Sequence, residues 1–368
     1  MRRINLILLT AFAFALPAQA EILIGQTTGV TGTVAAGVKE TQIGAQLYLD
    51  SVNLQGGIHG QKIRLITLDD QYEAALAATN AEKLVVQDKV LALFLSRGTA
   101  TTEAIVPVAE QYGVPLVAPS TGALSLFEPI KKQVFNVRTP YRLESSQAIV
   151  MMSRMGASRI GVVYQDDAFG ADGLAGAKEG FKDLGIEPAF VEKIDRSAPN
   201  FSVLSKRLSR TDVQSVLIIA SAKWVSQGIV QMREEGVSTQ FATLSNNASE
   251  GFIKQLGKYA KGVMVAQVFP YERSVVYPLV KEATRLLKAK GDGAVTPSIL
   301  EGLVAAKVLV AALRAAGPNP TRASLQAALE GLHKFDVGGL DVTYGPNDHT
   351  GLSFVELSII SANGTFLR

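Results

Sequence analysis

The chain of 368 residues contains no cysteine, one tryptophan and three histidines. Without cysteine there is no disulfide, no thiolate metal site and no residue to carry a lipid at a cleavage point. His59, His333 and His349 lie in turn-rich segments, far in sequence from the serine-bearing turns considered below. A Ser-His-Asp triad is therefore left without a motif, and a transition-metal site without a ligand cluster. An excess of one charge is also missing, with 36 Lys+Arg against 33 Asp+Glu. Long apolar runs are confined to the first residues, and no later window is uniformly apolar over the ~20 residues that a bilayer span needs.

The start of the chain has its own logic. Arg2 and Arg3 give a basic head, INLILLTAFAFAL an apolar stretch, and Ala18-Gln19-Ala20 a small-residue cleavage site. This order predicts a secretory signal peptide over residues 1–20, cut after Ala20, and a periplasmic mature protein beginning at Glu21. Loss of Arg2 and Arg3 leaves 34 basic against 33 acidic residues. That net charge predicts neither a nucleic-acid partner nor a membrane surface, so partners are sought in pockets.

What the chain does have is alternation. EILIGQ, KIRLITLDD, VLALFL and VPLVAP are almost wholly apolar strand runs, separated by helical patterns over Glu40–Val52, Glu73–Gln87 and Thr101–Tyr112. Such runs fit strands of a parallel sheet covered on both faces by helices, which makes the fold class α/β. The pattern restarts after VFNVRTPYR with RIGVVYQ, PAFVEKI, VQSVLIIA, QFATLS and GVMVAQV, and helices follow over Tyr277–Ala289 and Ile299–Ala315. Pro320 and Thr321 mark the start of another helix, and GPND and ANG break the tail into short strands. Two doubly wound α/β lobes with a cleft between them are expected, joined by a hinge that the chain crosses several times. The first comprises 21–138 with 271–338, the second 139–270 with 339–368.

Ligands in such sheets sit beyond the carboxyl ends of the strands. Arg97 to Thr102 occupies one such end, where a helix begins. Gly98 permits close backbone approach, Thr99 either caps the helix or offers its hydroxyl to a ligand, and the first-turn N–H groups carry the positive end of the dipole. This chemistry suits a small anion, a carboxylate above all. The next strand ends in Ser120-Thr121-Gly122, so two adjacent edges can converge on one group. Pro107, inside the helix that follows, is expected to kink or interrupt it.

Several segments in order carry a family resemblance: Asn53-Leu54-Gln55-Gly56-Gly57-Ile58-His59-Gly60, Asp69-Asp70, GTATTEA, APSTGA, YQDDAFGADG and Leu300-Glu301-Gly302. Across the mature chain the sequence resembles the periplasmic solute-binding proteins of branched-chain amino acid-type ABC transporters, the leucine/isoleucine/valine-binding protein family. The resemblance implies a type I periplasmic-binding fold whose lobes close like a hinged trap. It also implies that Thr99 and the groups around Ser120 to Gly122 hold a ligand carboxylate. Phe169 falls where an aromatic closes over the ligand, and Ser221 and Ser245 fall on the second-lobe edge. The implied partners are a small carboxylate-bearing solute and an inner-membrane ABC permease, with no cofactor, no catalysis and a monomeric chain.

Three departures bear on the ligand. Members that bind amino acids place an acid near Ser245 to pair the ligand ammonium, whereas Ser245, Asn246 and Asn247 stand here. Arg97 replaces an apolar wall, and Gly122 lacks a threonine hydroxyl found in some relatives. An ammonium buried without a carboxylate is costly, so the expected ligand lacks a free α-ammonium or bears a second polar or anionic group. Asp166 or Asp167 could supply the missing acid instead, although acids at a helix start also serve as caps.

Other candidates stay open. Trp224 and Tyr141 belong either to the core or to the cleft, and Arg138 either fixes the hinge or meets ligand. The GxxGxxG of Gly170, Gly173 and Gly176 departs from the dinucleotide fingerprint and fits close helix packing. Two rival functions remain, a sensory protein docking on a chemoreceptor or sensor kinase and a secreted α/β hydrolase; the signal sequence argues against a cytoplasmic regulator.

Overall fold

A computed structural model of the protein describes residues 21–368 except Ala198 and Asp292. The expected signal peptide and its cleavage after Ala20 lie outside the described residues. The first lobe begins β1 (Glu21–Thr28), α1 (Ala35–Leu54), β2 (Lys62–Asp69), α2 (Ala74–Val86), β3 (Ala92–Phe94), α3 (Thr99–Tyr112), β4 (Leu116–Val117) and β5 (Val134–Phe135). The chain then crosses into α4 (Tyr141–Arg154), β6 (Ile160–Gln165), α5 (Ala168–Leu184), β7 (Phe190–Ile194), α6 (Ser202–Leu208), β8 (Ser215–Ile219), α7 (Ala222–Glu234), β9 (Gln240–Thr243), α8 (Glu250–Leu256) and β10 (Met264–Gln267). It returns through α9 (Pro278–Lys290), α10 (Pro297–Ala315), α11 (Arg322–Glu330) and the pair β11 (Phe335–Asp336) and β12 (Asp341–Val342). Finally β13 (Glu356–Ile360) and β14 (Phe366–Leu367) join the second sheet.

The two sheets repeat one topology. The first runs β2-β1-β3-β4-β5, and the parallel part of the second runs β7-β6-β8-β9-β10, with β13 and β14 antiparallel at its edge. In each, strand order reverses beside the first strand, which opens a crevice at the carboxyl ends of β1 and β3 and of β6 and β8. Both crevices face the cleft.

Most of the expected elements form. Pro107 does not interrupt its helix: α3 is continuous from Thr99 to Tyr112. Pro107 is exposed, so the Glu103 carbonyl that loses its donor is on the solvent side and can turn to water. Thr321 caps α11 in a reciprocal capping box with Ser324. The short helix α8 had no expectation behind it. On α5, a Cβ at Gly176 would run into the Arg142 carbonyl of α4, and one at Gly180 would lie 2.6 Å from the Ser146 carbonyl. Of the GxxGxxG motif, Gly176 sets the close α4–α5 approach together with Gly180 outside it, whereas Gly173 packs on Ile219 of β8 and Gly170 on the Gln165 backbone. Val342, Tyr344 and Leu352 lie in the apolar core that joins the first sheet to α1, α9 and α10. They fall on the first-lobe side of the last crossing, beyond the boundary expected at 338–339.

Candidate functional site

The site is built where β3 and β4 end. Each strand stops at a left-handed residue, Leu95 with φ 51° and Ala118 with φ 54°. That conformation costs a non-glycine residue roughly 1–2 kcal/mol, and such strain is retained where surrounding structure enforces it. Beyond these reversals Arg97 and Ser120 pair as an isolated parallel bridge, and Thr99 opens α3. Gly98 adopts φ 93°, and the Tyr72 ring occupies the space that a Cβ there would need.

Arg97 is the central cation. Its Nη1 donates to Ser120 Oγ at 2.9 Å, and its Nη2 reaches across the cleft to the Asn246 carbonyl at 2.7 Å. It is only 5% exposed, yet no carboxylate among the described residues pairs with it. Beside it the Thr99 and Thr121 hydroxyls stand 2.9 Å apart, and Thr121 also bonds the Tyr141 side chain.

A chain of ionic contacts leads from this point through the hinge. Ser120 Oγ donates to Glu301 Oε1 at 2.7 Å, and that carboxylate lies 3.5 Å from Arg138 Nη1. Arg138 in turn meets Glu144 at 3.2 Å, donates to Ser245 Oγ at 2.5 Å and lies over the Tyr141 ring. The Ser245 amide and hydroxyl both donate to Glu144. An acid therefore does stand beside Ser245, contrary to what the local sequence offers. It comes from the first turn of α4, 101 residues away, and is engaged by Arg138. Burial pushes the Glu144 carboxyl upward, against the pull of Arg138 and Ser245.

On the second lobe the Ser221 amide and hydroxyl donate to Gln165 Oε1 at 3.2 and 3.3 Å. Gln165 Nε2 donates to Asp167, which also caps α5 by accepting from the Gly170 amide. Asp166 pairs with Lys193 at 2.8 Å. Both acids are thus occupied within their own lobe. Ser221 and Trp224 line an open cavity of about 660 Å³ between the lobes, together with Thr33, Tyr72, Asp166 and Arg196. Trp224, in the first turn of α7, thus faces the cleft while packing partly against the second-lobe core.

Three sequence candidates sit differently from expectation. Phe169 is buried with its ring 4.7 Å from Tyr141, and both belong to the second-lobe core, so Phe169 backs Tyr141. Gly122 faces the crossing: a Cβ there would lie 2.6 Å from the Thr139 carbonyl and 2.7 Å from the Tyr141 amide. Its own carbonyl accepts from that amide, so its smallness serves the hinge and a threonine would not fit. Ser245 is tied to Glu144 and Arg138 rather than left free.

Tyr72 and Arg196 were not anticipated. Tyr72 follows β2 in a left-handed turn (φ 64°), held by the Asp70 carboxylate accepting from its amide. The Arg196 guanidinium crosses from the second lobe, donates to the Tyr72 carbonyl at 3.0 Å and covers the ring at 4.9 Å. Burial pushes the Tyr72 hydroxyl up, with Asp167 adding and Arg196 opposing. Their only sequence signal was position, each just past the carboxyl end of a strand.

Two lobes of one topology, with paired crevices and a cleft lined from both sides, are a trap for a solute, and residues 21–357 match the family described as "Periplasmic binding protein". The chain belongs to the periplasmic binding protein family. It has the type I fold of the substrate-binding proteins. This binding protein is 25% identical to an "Amino acid binding protein" of Pseudomonas aeruginosa over 67% of each chain. It is also 25% identical to the Leu/Ile/Val-binding protein of Escherichia coli, over 77% of this chain and 78% of that one. A substrate-binding periplasmic protein from Ralstonia solanacearum shares 31% identity and superposes with a TM-score of 0.86, over 94% of this chain and 99% of that one. The family is one of substrate-binding proteins rather than enzymes, and its place is the periplasm.

Proposed function

We propose that this binding protein captures a small carboxylate-bearing solute between its lobes and delivers it to an inner-membrane ABC permease, after export and cleavage behind Ala20. The observation that carries the ligand class is Arg97, a buried guanidinium with hydrogen bonds but no carboxylate partner. Leaving such a cation without a counter-charge is costly, and a ligand carboxylate beside the Thr99 and Thr121 hydroxyls supplies one. Glu144 and Asp167 are engaged by buried protein groups, while Asp166, in an exposed pair with Lys193, lines the cleft cavity with Glu73 and Asp195. The Arg97 guanidinium is what favours organic or aromatic acids over leucine, isoleucine and valine, although those names belong to its relatives. Arg97 pairs with a carboxylate and can stack on an aromatic face, and Tyr72 and Trp224 offer aromatic walls. Closure follows because each lobe holds part of the site, so bound solute favours the closed form by contacts that the open form lacks.

Calorimetric titration of ligand-stripped protein with benzoate-type acids, aliphatic dicarboxylates and the three branched amino acids tests the reading. Acids are expected to bind, and Arg97→Met to weaken them by about one to two decades while the fold persists. Tight binding of leucine, isoleucine or valine, with no response to acids, rejects the ligand class.

A further inference from the structure

Away from the cleft, one face of the first lobe is cationic and apolar at once. The loop before α9 places Val275 and Val276 side by side at 79% and 75% exposure. Two hydrogen bonds hold that loop: the Ser274 amide donates to the Tyr271 carbonyl at 2.8 Å, and the Val276 amide to Ser274 Oγ at 3.2 Å. Exposure of the valines is therefore built in. Between this loop and α9 runs a groove of about 510 Å³, bordered by Arg273, Val275, Val280, Lys281, Arg285 and Lys288. The helix buries Leu279, Ala283, Leu286 and Leu287 in the first-lobe core. Lys281, Arg285 and Lys288, spaced four and three residues apart, form a stripe on the outer face. These three and Arg273 are exposed, and none pairs with a carboxylate among the described residues. No acid among the described residues borders the groove.

Balanced net charge does not exclude such a local excess: Glu272, next to Arg273, is buried, and Glu282, next to Lys281, is paired with Lys307. Three α9 cations without an ion pair among the described residues, with Arg273 beside them, surround an apolar tip and an apolar-sided groove and match an amphiphile with an anionic head. The cations meet phosphates, and the valines enter the boundary between headgroups and chains. We propose that this face docks reversibly on an anionic phospholipid surface and so holds the binding protein against a membrane without using its solute cleft. The proposal is independent of which solute binds, since none of these residues lines the cleft cavity.

Co-sedimentation of the purified protein with vesicles tests it. Vesicles of phosphatidylglycerol mixed with phosphatidylcholine are expected to retain the protein at low salt, at least about tenfold better than pure phosphatidylcholine. The triple change Lys281→Glu, Arg285→Glu and Lys288→Glu is expected to abolish retention, and Val275→Ser with Val276→Ser to weaken it, both with unchanged circular dichroism. Added salt should release the parent. No retention, or equal retention on both vesicle types, overturns the proposal, as does retention that survives the triple charge reversal. Absence of vesicle binding together with capture of a synthetic glutamate-rich peptide by this face would reassign it to an acidic protein partner.

Discussion

At the scale of single residues, the cleft is shaped by polar groups held in strained or buried positions. Asp70 shows the cost. It is fully buried behind the Tyr72 turn, and burial raises its carboxyl to about 6, with Asp69 and Glu73 adding and the Tyr72 amide and Thr27 hydroxyl opposing. A carboxyl raised in the folded state favours the protonated form, so its stabilising contribution is full below about pH 4 and is lost as pH rises through about 6. Asp70→Asn keeps an acceptor for the Tyr72 amide and removes the titration. Urea unfolding is expected to show the variant gaining on the parent between about pH 4 and pH 6, with the gain approaching 3 kcal/mol at most. A stability difference that does not change with pH would reject the assignment. Arg97 is a different case, a buried charge held by the Ser120 hydroxyl and the Asn246 carbonyl.

At the scale of elements, glycine contacts and strand ends decide what packs where. The α4–α5 contact depends on Gly176, whose Cβ position is taken by the Arg142 carbonyl. Backbone cannot yield as a flexible side chain would. Gly176→Val is therefore expected to separate the helices and to lower stability by about 1–3 kcal/mol or more in urea unfolding, with an effect on closure through Tyr141 and Glu144 at the start of α4. Full parent stability would mean that the helices are spaced more loosely than described. The left-handed residues ending β3 and β4 act on the same scale. They turn Arg97 and Ser120 toward each other, which neither strand alone would do.

At the scale of the whole molecule, Arg138 ties the lobes together. It is 1% exposed, sits at the first crossing, and meets Glu144 of the second lobe and Glu301 of α10, which packs with the first. Removing one partner of a buried ionic group leaves the others uncompensated, typically at a cost of about 3–5 kcal/mol. Arg138→Met should show that loss in urea unfolding. Replacing Arg138, Glu144 and Glu301 together by apolar residues should recover much of it. If the single variant were as stable as the parent, the network would have no part in holding the hinge.

The sequence by itself determined the class, the order of most elements and the polar turns that end the first-lobe strands. Apolar runs at strand length, helical spacing between them and a Gly-Thr turn at a strand end are local properties, and each was readable where it stands. Thr321 as a cap and Gly176 as a packing glycine belong to the same kind. Only tertiary structure decided the electrostatics of the cleft. Glu144 reaches Ser245 across 101 positions, Glu301 reaches Ser120 across 181, and Arg196 covers Tyr72 across 124. No local pattern encodes such meetings, because they depend on how two sheets and a triple crossing bring distant strand ends together. Gly122 makes the same point in reverse. Its neighbours in sequence suggested a ligand turn, whereas its neighbours in space are the backbone of the hinge, and space around the Cα, not sequence around the residue, is what a side chain must fit.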